Sequence, residues 1–110
     1  MPMVSPWLTG VPLCLLLLSS SALAGQEVEV RIDGYHYVPA SVSISVGDRV
    51  RWVNHEKRTS HSVVFPGEAG LESERMFPDE SWVRDFDTPG RYNYHCGPHP
   101  EMEGVVVVGE

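Results

Sequence analysis

Hydrophobic and polar residues alternate with a period of two in several short segments of this chain. Val28, Val30 and Ile32 interleave with Glu27, Glu29 and Arg31, and Val42, Ile44 and Val46 with Ser41, Ser43 and Ser45. That period puts alternate side chains on opposite faces, which predicts half-buried strands. Gly47-Asp48 turns the second segment into Arg49-Val50-Arg51-Trp52-Val53. Further strands are predicted over 62–65, 81–86, 91–96 and 104–108, with Pro89-Gly90 punctuating the approach to the penultimate one. Pro66 to Pro78, with Gly67, Gly70 and several glutamates, reads as a loop. No convincing helical period occurs after residue 24. Short strands with turn signals at roughly eight-to-twelve-residue spacing indicate an all-β sandwich or barrel.

The first 24 residues do not fit this pattern. Leu13 to Leu18 form a short apolar run; Ser19-Ser20-Ser21 and then Ala22-Leu23-Ala24 supply a polar bend and an A-x-A cleavage site. Residues 1–24 are therefore expected to be a secretory signal peptide, although they contain no Lys or Arg. The run falls short of the roughly 20 apolar residues of a membrane span, so no stable membrane insertion is expected. Lipidation at Cys14 is the other exported arrangement. Leu13 before it and the apolar run after it argue against that. Residues 25–110 are expected to form a single small domain in the periplasm.

Every charged side chain lies in that domain, so the whole formal charge of −7 falls on it. Nucleic acid, which demands a basic footprint, is excluded as a partner. The charge suits a protein partner with a positive face, although acidity is also an ordinary route to solubility. Loss of the leader removes Cys14 and leaves Cys96 as the last of the two cysteines. An exported domain of this size often relies on a disulfide, and this one cannot form one internally. A bound metal is the other common staple.

Cys96 opens the stretch Cys96-Gly97-Pro98-His99-Pro100-Glu101-Met102, which places a thiol, an imidazole and a thioether at C-x-x-H-x-x-M spacing. If 91–96 is a strand, Tyr92, Tyr94 and Cys96 face one way and Asn93 and His95 the other. Cys96 then points between the sheets at the strand's end. Gly97-Pro98 begins a tight loop that can return His99 and Met102 over the same point. Thiolate and thioether are soft ligands that suit copper. Two histidines and a cysteine with a weak axial methionine describe a blue-copper electron-transfer site, whereas structural zinc sites usually show paired cysteines. The second histidine must come from His36, His55 or His61. His61 is preferred because it directly precedes the apolar segment Ser62-Val63-Val64-Phe65; His55 lies in the charged turn Asn54-His55-Glu56-Lys57-Arg58, which reads as solvated.

These features resemble the cupredoxins of the plastocyanin and amicyanin group, the amicyanins most of all. The resemblance runs from about Tyr35 to Glu110 and is carried by Pro39, Val46-Gly47-Asp48, Trp52-Val53-Asn54, His61, Pro89-Gly90 and the segment from Tyr92 to Met102. It implies a Greek-key β-sandwich of about eight strands in two sheets. It also implies one copper per chain, held by His61, Cys96, His99 and Met102. Two positions depart from the family's pattern. Ser62 stands where an asparagine usually follows the first histidine and helps to order the ligand loops. Glu101 puts a charge where amicyanins tend to be apolar.

The resemblance implies a monomeric electron carrier serving redox proteins such as a dehydrogenase or a c-type cytochrome, with His99 as the electron port. A copper-delivery protein of the cell envelope is the alternative, but such proteins tend to use exposed Met- and His-rich clusters, which are absent here. An oxidase or reductase needs further copper centres fed by H-x-H pairs or an H-C-H triplet. Cys96 is followed by Gly97, and no H-x-H occurs, so an enzyme is not expected.

Overall fold

The computed structural model describes residues 25–110, and the expected signal peptide lies outside the described residues. Among the described residues nine strands form: β1 (Glu27–Asp33), β2 (His36–Val38), β3 (Ser41–Ser45), β4 (Arg49–Asn54), β5 (Val64–Phe65), β6 (Leu71–Glu72), β7 (Ser81–Asp85), β8 (Gly90–His95) and β9 (Glu103–Gly109). A short 3₁₀ turn, Pro66–Glu68, separates β5 from β6. One sheet has the order β2-β1-β4-β7 and the other β3-β9-β8-β5-β6. The chain passes repeatedly from one sheet to the other, and the pairs β1–β4 and β3–β9 are parallel as a result.

The alternating residues meet between the sheets. Val30 and Ile32 of β1, Val42 and Ile44 of β3, Val50 and Trp52 of β4, Tyr94 of β8 and Val106 and Val108 of β9 are all buried. Trp52 anchors the aromatic centre, edge-on to Tyr94 at 5.4 Å and to Phe65 at 6.2 Å. Such perpendicular contacts match the quadrupoles of the rings and add to their burial.

Three features differ from the pattern read in the sequence. Strand β2 arises because Gly34 and Tyr35 both take left-handed φ, 58° and 62°, and fold Asp33 onto His36 as a tight hairpin. A tyrosine at such a position hides the turn. The 62–65 segment shortens to Val64–Phe65, because the two N–H groups before it bond to side chains: Ser62 to Cys96 Sγ at 3.3 Å and Val63 to Ser73 Oγ at 3.0 Å. Pro66 to Pro78 is more regular than a loop: β6 pairs with β5, and Met76 pairs with His61.

Candidate metal centre

Strand β8 delivers the cysteine. His95 forms the last rung, paired with Glu103 on one side and Val64 on the other, and Cys96 is the first residue beyond it. The alternation along β8 turns Cys96 inward, where it is fully buried and free of any disulfide. The following loop closes on itself, the Cys96 N–H donating to the Met102 carbonyl at 3.0 Å and the Met102 N–H to the His99 carbonyl at 2.9 Å. Those two bonds close the loop that carries three candidate donors. Met102 is buried there, while His99 stays part-exposed between exposed Pro98 and Pro100.

His61 arrives from a separate segment. A two-residue bridge fixes its backbone, the His61 N–H donating to Met76 O at 3.1 Å and the Met76 N–H to His61 O at 2.8 Å. Its ring is wholly buried. Cys96 Sγ lies 3.5 Å from His61 Nδ1 and 3.6 Å from His99 Nδ1, and the donor atoms of these three residues all fall within 4.8 Å of one another. Both imidazoles thus turn the same nitrogen toward the sulfur. Burial holds the His61 imidazole below the ordinary histidine range; the neighbouring His99 acts the same way and Glu56 opposes both. A neutral imidazole is the form that ligates a metal. The other two histidines weighed for this role stay outside: His36 is exposed on β2, and His55 faces Glu29 with Nε2 3.8 Å from the carboxylate. His95 turns away from the sulfur, its Nδ1 3.0 Å from the Cys96 carbonyl.

Several residues around the cluster were not foreseen. Glu56, read as part of a solvated turn, leaves only 12% of its side chain exposed and brings Oε2 to 3.3 Å from His61 Nε2. The contact falls short of hydrogen-bond geometry at Nε2. The turn folds inward because buried Asn54 organises it: Nδ2 donates to the Thr59 and Met76 carbonyls, and Oδ1 accepts the Glu56 N–H. The same Glu56 carboxylate accepts the Tyr35 N–H at 2.7 Å. Tyr35 stands edge-on to both imidazoles, 5.5 Å from His61 and 4.9 Å from His99. Tyr37 donates its hydroxyl to the Ser62 carbonyl at 2.6 Å, and burial, with Cys96 adding, pushes that phenol well above its ordinary range. None of these side chains carries a local signal, because each reaches the site from a distant segment.

The donor set fits copper: two imidazoles converge on a buried, unpaired thiol, a buried methionine lies in the adjoining loop, and His99 alone of the four is part-exposed. A two-sheet sandwich with such a cluster at one end defines the cupredoxins, the single-copper electron carriers. The chain belongs to the family of copper-binding proteins that includes plastocyanin and azurin, whose model matches residues 24–109. It is 35% identical over 94 residues to amicyanin of Paracoccus denitrificans, covering 82% of this chain and 71% of that protein. Over 106 residues it is 33% identical to the chloroplastic plastocyanin of Physcomitrium patens, covering 86% of this chain and 62% of that protein. The fold matches a reduced Cu(I) amicyanin variant at pH 4 with a TM-score of 0.71 and 36% identity, over 79% of this chain and 86% of that one. The amicyanin of Paracoccus versutus gives a TM-score of 0.69 at 36% identity, covering 74% of this chain and 80% of that one. Copper is accordingly the cofactor, and transfer of single electrons the activity.

Proposed function

We propose that His61, Cys96, His99 and Met102 hold one copper ion, and that the domain formed by residues 25–110 carries electrons in the periplasm after removal of a signal peptide at Ala24. The observation that carries the ligand set is the convergence of both Nδ1 atoms on Cys96 Sγ, at 3.5 and 3.6 Å. Bound copper supplies a centre that accepts and releases one electron without a proton. The protein's part is to keep the ligands still. The thiolate is tied by the closed 96–102 loop and His61 by its bridge to Met76, and both His61 and Cys96 are wholly buried. Rigid ligands limit reorganisation as charge changes, which keeps the transfer barrier low.

His99 is the electron port in this reading, because it is the part-exposed member of an otherwise buried cluster. Its partners are other redox proteins, such as a c-type cytochrome or a dehydrogenase, met by a monomer that performs no catalysis of its own. Among the described residues no helix is long and apolar enough to cross a membrane. Copper reconstitution followed by visible and EPR spectroscopy tests the assignment. A strong thiolate-to-Cu(II) band, abolished by Cys96→Ser, is the expected result. A colourless protein holding stoichiometric Cu(I) would instead make metal delivery the function.

A further inference from the structure

Ser62 ties the His61 segment to the Cys96 loop, and all of its hydrogen-bonding groups are engaged. Its N–H donates to Cys96 Sγ at 3.3 Å, and its carbonyl accepts the Tyr37 hydroxyl at 2.6 Å. Its own Oγ accepts the Gly97 N–H at 2.9 Å and donates to Glu72 Oε2, also at 2.9 Å. A hydroxyl carries one proton and two lone pairs on a freely rotating bond, so an acceptor that holds the proton fixes a lone pair on the Gly97 N–H. Glu72 is that acceptor. The sheet places it there: Glu72 pairs with Val64, and Val64 with His95, so one rung leads from β6 to the end of β8 beside Gly97. The fit is close enough that a Cβ on Gly97 would come to 2.5 Å from Glu72 Oε2 and 2.7 Å from Ser62 Oγ.

We propose that Glu72 is a positioning residue for the copper thiolate. By accepting the Ser62 hydroxyl hydrogen bond it fixes the Gly97 N–H, and with it the peptide that follows Cys96. Ser62 and Glu72 together thereby supply the loop-to-loop link for which the family generally uses one asparagine. An amide side chain needs no helper, because its planar group fixes which end accepts; a hydroxyl rotor is held in its accepting orientation by the acceptor of its proton. The departure at position 62 and the carboxylate at position 72 are one device. Unlike an asparagine, that device also sets a full negative charge two hydrogen bonds from the peptide next to the sulfur, a charge that favours the more positive, oxidised site.

Amide hydrogen exchange of the copper-free protein, followed by NMR at Gly97, reads the link directly. Glu72 is exposed, so its replacement leaves the core intact. Glu72→Ala is expected to speed exchange at Gly97 about tenfold or more, and Glu72→Gln, which keeps an acceptor, to stay within about threefold of wild type. Adding Ser62→Asn to Glu72→Ala is expected to return the slow rate. In the copper-loaded protein at low ionic strength, Glu72→Gln raises the reduction potential, a change that lost packing alone does not produce. Unchanged Gly97 exchange in Glu72→Ala would overturn the proposal. Equal acceleration by Leu71→Ala would do so too, by assigning the effect to β6 pairing. The redox arm rests on the ligand assignment above, but the exchange arm does not: a Cys96→Ser protein that kept the thiolate band would sink the assignment and leave the Gly97 result standing.

Discussion

At the scale of single residues, Glu56 controls the environment of His61 from behind. Its carboxylate lies 3.3 Å from His61 Nε2, on the side away from the sulfur, and holds the Tyr35 N–H at 2.7 Å. Copper gains a positive charge on oxidation, so a carboxylate this close stabilises the oxidised form more than the reduced one. Glu56→Gln keeps the shape and removes the charge. The reduction potential is expected to rise by the equivalent of about 1 kcal/mol, as measured by voltammetry. An equal or lower potential would remove Glu56 from the redox centre. The contrast with Cys96, His99 and Met102 shows what a sequence makes legible. Those three lie within one short loop, where spacing alone forces proximity, and His61 could be chosen because an apolar segment follows it. Glu56, Tyr35 and Glu72 reach the site only through the arrangement of strands. Glu56 even carries the wrong signal, since a run of His, Glu, Lys and Arg looks like solvated surface until Asn54 turns it inward.

At the scale of elements, the 3₁₀ turn Pro66–Glu68 is bound to β7 by a two-pronged ion pair. Glu68 accepts from both terminal nitrogens of Arg84, at 2.8 and 2.7 Å. The same guanidinium lies 4.5 Å from the ring centres of Phe65 and Phe86, so it also caps the aromatic face of the core. Hydrogen bonds from Arg84 lower the Glu68 pKa below its ordinary value. A depressed folded-state pKa contributes stability above the unfolded carboxylate pKa of about 4.3, and that contribution is lost as pH falls through the folded value. Glu68→Gln is therefore expected to cost about 0.5–1 kcal/mol at pH 7. The gap from wild type should narrow as the pH falls below the ordinary carboxylate range in urea unfolding; a gap unchanged by acid would assign the effect to packing. Elements of this size mark the limit of sequence reading. The long strands β1, β3, β4 and β8 announce themselves by alternation, and β9 by its run of four valines. Strands β2 and β6 are three and two residues long, too short to show a period, and they exist because a neighbour offers a ladder.

At the scale of the whole molecule, the sandwich serves to present one end of itself. His99 reaches that end between exposed Pro98 and Pro100, and the domain behind it carries a net charge of −7. Encounter with a positively charged redox partner is therefore accelerated by the summed field and slowed by salt. Glu101 bears on this directly, because it stands exposed in the loop that carries His99 and Met102. A charge at the edge of a docking face acts mainly on the association rate, whereas one touching the ligands would act on the potential. Glu101→Gln is accordingly expected to slow electron transfer with a cationic partner by about two- to threefold at low ionic strength. The reduction potential should not move. Raising the salt to physiological strength, where the screening length falls to about 8 Å, should erase most of the difference. Stopped-flow rates against a basic cytochrome and an anionic inorganic oxidant separate the causes. A substitution that slows the first, leaves or speeds the second, and keeps the potential acts by steering; one that slows both acts on the copper site itself.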